Sequence, residues 1–324
     1  MNKTQFLANS YVQGFLVWAA HQLPELKVHL NISLRGTGRS GGRIGPGVSG
    51  EFTGIENLTE AYHWRAAWTH PRHGLIESND WHSTQISIKR LGSDLKAELL
   101  GNSPDDKFCL SVCSAIVAWG GDRNDMVGAI PFLRTQRKGL PSYLSKVKNT
   151  LSLTTADTDG LDGICEMNAM LTKVHALASD DGLPIYDSRV AGAVGSLVEL
   201  YRQSLAIPWG EIPSPLRFKA TDYALRRRAR GLRPMRIEVL DPGVITRGSS
   251  LPDRSRRARE WSSCKVRLGW LIQGVLVKAE VLGLPLYSCE KSTVDKMHAF
   301  EAALFMMGFN VDSMAHSAKP GRLN

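Results

Sequence analysis

The sequence predicts a mainly α fold, two packed layers of helices with a small β element near the N-terminus. Two observations carry this expectation. Six stretches between residues 105 and 308 repeat apolar residues every three or four positions, the spacing of one buried helix face. Alternation of apolar and polar residues, the mark of a half-buried strand, occurs only in two short stretches before residue 91. With 324 residues and 43% hydrophobic content, the chain can bury a sizeable core. Three segments are expected: a mixed α/β part over 1–104, a helical part over 105–207, and a basic helical part over 208–324 that packs back on the core.

Residues 3–22 read as a helix burying Phe6, Leu7, Phe15, Leu16 and Trp18. Val28–Leu34 alternates and reads as a strand. Residues 35–50 hold seven glycines and three arginines. That loop can lie close to phosphates or simply move, and both readings stay open. Neither a dinucleotide-binding glycine motif nor a P-loop occurs there in strand–loop–helix order. Residues 56–68 look helical, ending in Trp64 and Trp68, and Ser83–Arg90 reads as a second strand. His70, His73, Asp80 and His82 are read as surface residues, because no helical His pair with a general base accompanies them.

Asp105–Trp119 reads as a helix with Phe108, Val112, Ile116 and Trp119 on one face, stopped by Gly120-Gly121. Another helix opens near Pro141 and carries Tyr143, Leu144, Val147 and Leu151. The segment 151–163 is polar and turn-rich, and Pro208, Pro213 and Pro215 mark a hinge or linker. Glu260–Leu282 reads as a long helix packing through Trp261, Leu268, Leu271, Val275 and Val281, and Lys291–Gly308 as the last helix.

The formal net charge is +9. Residues 201–324 hold 21 Lys and Arg against 11 Asp and Glu, and residues 1–200 hold 19 against 20, so the excess lies at the C-terminal end. Such asymmetry points to a polyanionic partner, nucleic acid before membrane. Arg226, Arg227, Arg228 and Arg230 form one run, and Arg256 and Arg257 belong to a second. Both are expected to contact phosphates. No apolar run reaches the roughly 18–20 residues of a membrane span, and residues 11–20 lack the flanks of a signal peptide. A cytoplasmic protein with no obligate protein partner is expected. Cys109, Cys113, Cys165, Cys264 and Cys289 are odd in number and lack C-x-x-C spacing. They read as reduced thiols, mostly in the core, with neither a zinc site nor a disulfide framework. No cofactor or metal is expected.

The stretch the chain turns on is 160–203. Ile164, Met167, Met170, Leu171, Val174 and Leu177 predict a helix over 161–177. Ser179-Asp180-Asp181-Gly182-Leu183-Pro184 breaks it. Asp187 then stands at the N-cap of a second helix faced by Val190, Val194, Leu197, Val198 and Tyr201. Lys173, late in the first helix, is placed to face the same space as Asp187. A carboxylate fixed at a helix N-terminus beside an amine suits chemistry that builds positive charge.

Lys173-Val174 followed by Gly182-Leu-Pro-Ile-Tyr-Asp187-Ser-Arg-Val190 resembles the hairpin-to-aspartate region of the helix-hairpin-helix DNA glycosylases, in the 8-oxoguanine glycosylase-like branch, which includes variants found in bacterial phage defence. The resemblance implies a glycosylase-like helical fold. It makes Asp187 the carboxylate that stabilises the sugar cation and Lys173 the amine that can attack the sugar carbon. The family's glycine-rich turn before the lysine is replaced here by Met167-Asn-Ala-Met-Leu-Thr172, so an intact abasic site is the expected product. Tyr186 and Trp119 are candidates for stacking on the flipped base, and Ser188 and Arg189 for contacts near it. Double-stranded, modified phage DNA is the implied partner, with glucosylated hydroxymethylcytosine the first candidate base and an oxidised purine the alternative. From other classes, a metal-dependent nuclease and a non-enzymatic DNA-binding module stay open.

Overall fold

A computed structural model describes residues 1–32, 47–101, 103–122, 124–205, 213–221, 243–309 and 311. Among them are eleven α-helices and two separate two-stranded antiparallel sheets. The mainly α class with a small N-terminal β element is therefore what the chain adopts.

The N-terminal helix is split. Helix α1 spans Lys3–Ala8 and α2 spans Ser10–Gln22. Asn9 ends the first, its N–H donating to the Phe6 carbonyl, and caps the second by accepting from the N–H groups of Tyr11 and Val12. Strand β1 (Lys27–Ile32) pairs with β2 (Val48–Thr53), Lys27 opposite Thr53 and Ile32 opposite Val48. The glycine-rich stretch thus ends inside β2, and residues 33–46 lie outside the described residues. A short α3 (Ile55–Glu60) follows.

Two expectations fail next. Trp64 and Trp68 lie on strand β3 (His63–His70), paired with β4 (Gly74–Asp80), because the alternation Ala66, Trp68, His70 is buried along one face. Ser83–Arg90, expected as a strand, lies within α4 (Trp81–Leu100), whose buried face Thr84, Ser87, Ile88, Leu91 and Leu95 keeps helical period. Asp80 caps that helix and His82 stands exposed in its first turn. Helix α5 (Asp106–Trp119), capped by Asp105, is as expected. Helices α6 (Ala129–Thr135) and α7 (Leu140–Thr150) follow.

Helix α8 is much shorter than its apolar spacing suggested, spanning Leu171–Ala178. Residues 151–170 are turns and irregular chain, and Ile164 and Met167 are buried there without a helix. Three anchors hold this segment. Trp270 Nε1 donates to the Leu153 carbonyl at 2.9 Å, Arg257 makes a two-oxygen ion pair with Glu166, and Asn168 Oδ1 accepts from Met170 and Leu171 to start α8. Helix α9 (Ser188–Ser204) is capped by Asp187.

Helix α10 runs over Leu251–Val281 and α11 over Thr293–Met307. Helix α10 packs on α2, and α11 packs on α3 and α9, so one buried cluster draws residues from all three segments of the chain. Val281, expected in the packing face, is 74% exposed because it closes the helix beyond that face. Cys109, Cys113 and Cys264 are buried, Cys165 and Cys289 exposed, and all five thiols are free. No helix among the described residues is long and apolar enough to cross a membrane.

The connection between α8 and α9 depends on Gly182. Its φ is +78°, and an added Cβ would lie 2.8 Å from Met297 Sδ and 3.2 Å from Met297 Cβ. Both the backbone conformation and the contact exclude a side chain. Gly182→Ala is therefore expected to destabilise the protein by about 2 kcal/mol, read from urea denaturation. An unchanged midpoint would show that the connection can rearrange freely.

Candidate functional site

Asp187 and Lys173 meet. Asp187 Oδ1 accepts from the N–H groups of Arg189 at 3.0 Å and Val190 at 3.2 Å, which fixes the carboxylate at the N-terminus of α9. Its other oxygen, Oδ2, lies 3.4 Å from Lys173 Nζ. Lys173 stands early in α8 rather than late in a longer helix, and its Nζ also donates to the Ala169 carbonyl at 3.0 Å. Both residues are buried, with 7% and 6% of Lys173 and Asp187 accessible. Gly120 makes room for the lysine stem: a Cβ there would meet Lys173 Cδ at 2.7 Å.

The pair borders a cavity of about 140 Å³ walled largely by aromatic rings. Tyr62, Trp64, Trp81, Trp119 and Phe305 line it, from five different elements or their ends, and Ser188, Arg189, His298 and Glu301 add polar groups. Trp64 is held by a hydrogen bond from its Nε1 to the Trp119 carbonyl at 3.2 Å. Arg189 lies against three rings, its guanidinium carbon 4.1 Å from the centre of Phe309, 4.8 Å from Phe305 and 5.4 Å from Trp64. Burial, with the charges of Glu301 and Asp187 adding, raises the Tyr62 phenol far above its ordinary range.

The expected site residues thus divide. Asp187, Lys173, Trp119, Ser188 and Arg189 come together at the cavity. Tyr186 does not: it is fully buried, its hydroxyl donates to the Lys219 carbonyl, and Trp261 Nε1 donates to its backbone carbonyl. A ring locked there cannot stack on a base. Arg257 is held by Glu166 and the Gly248 carbonyl, so it acts as an internal strut rather than a phosphate contact. Arg256 is exposed on α10. Arg226, Arg227, Arg228 and Arg230 lie outside the described residues.

His70 is not a surface residue. It is 1% exposed, its Nδ1 accepts from the Arg72 N–H at 3.0 Å, and its Nε2 faces Asp94 Oδ2 at 2.6 Å. Burial lowers its pKa, with Asp94 opposing. The His73 ring packs against it at a tilt of 48°, and His70, His73 and Asp94 lie close enough to share an ion. His70, however, already commits both ring nitrogens, so a metal would have to displace one of these hydrogen bonds.

Sequence reasoning missed Lys265. Its ammonium is fully buried and donates to the Thr172 carbonyl at 2.8 Å, the Thr172 hydroxyl at 3.1 Å and the Pro184 carbonyl at 2.6 Å. Around it, the Tyr186 N–H donates to the Thr172 hydroxyl and the Ile185 N–H to Glu301 Oε2. The connection carrying Asp187 is thereby tied to α8, α10 and α11. The signal was present as a charged residue inside the apolar stripe Trp261–Lys265–Leu268–Ile272 of one helix. Burial lowers the Lys265 pKa to about 7, with Glu301 opposing and Lys173 adding to the shift.

His175 lies buried in the same region, and neither ring nitrogen has a hydrogen-bond partner among the described residues. Burial, then the Lys265 charge, lowers its pKa to about 3.

No family model matches the chain, and neither a curated protein nor a solved structure matches it.

The His175 environment sets a pH dependence. The imidazole is neutral when folded down to about pH 3, while the unfolded chain binds the proton near 6.5. Between these values the unfolded state holds more protons, so stability falls as pH drops, with a slope from this group of up to about 1.4 kcal/mol per pH unit. His175→Met is expected to raise stability at pH 4–5 and to flatten this limb, measured by urea unfolding from pH 4 to 7. An acid limb as steep as in the wild type would show that His175 is not held neutral.

Proposed function

We propose that the protein is a DNA glycosylase that flips a modified base out of double-stranded DNA, excises it and leaves an abasic site. One observation carries this reading: a helix-capping carboxylate and a lysine, buried together at the edge of an aromatic-walled cavity. The same juxtaposition is what the resemblance to helix-hairpin-helix glycosylases implies for Asp187 and Lys173. Base excision requires a pocket for the extruded base, because the target bond is not reachable inside the stack. Flat rings at Trp64, Trp119 and Phe305 suit a planar aromatic guest.

The chemistry follows from the fixed carboxylate. The bond between the sugar C1′ and the base nitrogen breaks, and its electron pair leaves with the base. The positive charge left on the sugar is stabilised by the Asp187 carboxylate in a water-poor site. Water then adds to C1′ and its proton passes to Asp187. The Lys173 ammonium is held by Asp187 and the Ala169 carbonyl, two contacts that attack on the sugar would forfeit. Hydrolysis without a covalent intermediate is therefore the proposed course. Arg256 on the exposed face of α10 and the arginines of 226–230 are the proposed phosphate contacts. Modified cytosine in phage DNA, glucosylated hydroxymethylcytosine first, is the proposed substrate, which would make the protein a cytoplasmic antiviral enzyme. An oxidised purine is the conventional substrate of the same chemistry.

Incubation with modified and plain phage DNA in the presence of a chelator should release a base detectable by mass spectrometry. Asp187→Asn keeps a cap oxygen and removes the charge, so excision should fall at least ~10²-fold while circular dichroism shows a folded protein. Near-normal release by that variant would remove Asp187 from the chemistry.

Borohydride should trap no covalent enzyme–DNA adduct, and product strands should break only after alkali or heat. Lys173→Ala should retain measurable excision. An adduct that disappears in Lys173→Ala would make the enzyme a lyase instead.

A further inference from the structure

Glu301 is the second carboxylate at the cavity, and nothing in the hydrolysis requires it. It lines the cavity from α11 and is 8% exposed. Its Oε2 is occupied, accepting from the Ile185 N–H at 2.8 Å and lying 3.6 Å from His298 Nδ1. Its Oε1 has no hydrogen-bond partner among the described residues. That oxygen is not among the buried atoms left unpaired, so it keeps contact with solvent and can accept from a guest inside a pocket walled largely by rings.

Position adds to this. Glu301 is tied to residue 185 and the reaction is centred on residue 187. Glu301 and Asp187 line the same cavity, so a guest whose C1′ meets Asp187 lies between walls that include Glu301.

We infer that Glu301 reads the flipped base by accepting a hydrogen bond from an exocyclic amino group, so the site takes amino-bearing bases and rejects their oxo counterparts. A carboxylate only accepts. Cytosine N4 and adenine N6 present an N–H₂ donor, whereas uracil or thymine O4 and hypoxanthine O6 present a carbonyl oxygen at the matching place. An oxo group there would set oxygen against oxygen and leave Glu301 unsatisfied, the kind of mismatch that polar sites reject most strongly. The inference rests on the glycosylase reading, and narrows it to one chemical class of substrate.

The test uses duplexes in matched pairs that differ only at one ring carbon: 5-hydroxymethylcytosine against 5-hydroxymethyluracil, each with and without the glucosyl group, and adenine against hypoxanthine. Released base is quantified for wild type, Glu301→Gln and Asp187→Asn. Glutamine keeps an acceptor for the Ile185 N–H and adds a donor that tolerates a carbonyl. Wild type should prefer the amino member of whichever pair it processes by at least tenfold. Glu301→Gln should reduce that ratio at least tenfold, mainly by losing the amino substrate and gaining the oxo one. Preference of the wild type for the oxo member, or a ratio unchanged in Glu301→Gln, would overturn the inference while leaving the glycosylase reading intact. Release of no base from any duplex by the wild type would overturn the glycosylase reading, and the inference with it.

Discussion

One buried ammonium holds the functional region together. Lys265 carries three N–H groups, and three oxygens surround it: two from Thr172 and one from Pro184. Thr172 precedes Lys173, and Pro184 lies on the approach to Asp187. The same ion therefore ties the first turn of α8 to the late part of the α8–α9 connection. Backbone groups buried in an irregular segment need partners, and here the partners are side chains from distant helices rather than a ladder. Trp261 and Glu301 complete the set, binding the Tyr186 carbonyl and the Ile185 N–H. Desolvation of this ammonium still lowers its pKa to about 7, and the three hydrogen bonds offset that cost in part.

The cavity inherits its shape from this arrangement. Its walls come from strand β3 and from helices α4, α5, α8, α9 and α11 or their edges, so no single element defines it. Asp187 gains its direction from two backbone N–H groups and Lys173 its reach from the absence of a side chain at Gly120. Such fixed groups need little reorganisation when charge develops nearby. Arg189, stacked between rings, covers the cavity edge with a cation whose planar face suits aromatic neighbours.

What the sequence displayed depended on how local the cause was. Asp187 was legible because an N-cap needs only its own residue type and the apolar spacing after it. Helix α5 and the last helix were legible for the same reason. Ile164 and Met167 misled because helical spacing also arises by chance in irregular chain whose apolar residues are buried by tertiary contacts. Ser83–Arg90 alternates over too short a window to reveal the longer helical period around it. Tyr186 and Arg257 were assigned outward roles because their inward partners, Lys219, Trp261 and Glu166, are far away in sequence. Lys265 and Glu301 were missed likewise, since a buried charge makes sense only once the atoms it faces are known.

The dependence of the α8–α9 connection on Lys265 and Glu301 also fixes when the region can exist. Chains emerge from the ribosome N-terminal end first, at roughly 5–20 residues per second. Asp187 is made well before Lys265 and Glu301, so for on the order of ten seconds the Pro184 carbonyl and the Ile185 N–H lack the partners those later residues supply. Helix α2 likewise waits for α10 to cover it. A nascent chain of this protein therefore carries a carboxylate and a lysine without a pocket to aim them, and the proposed base excision becomes possible only after nearly all of the described chain has been synthesised.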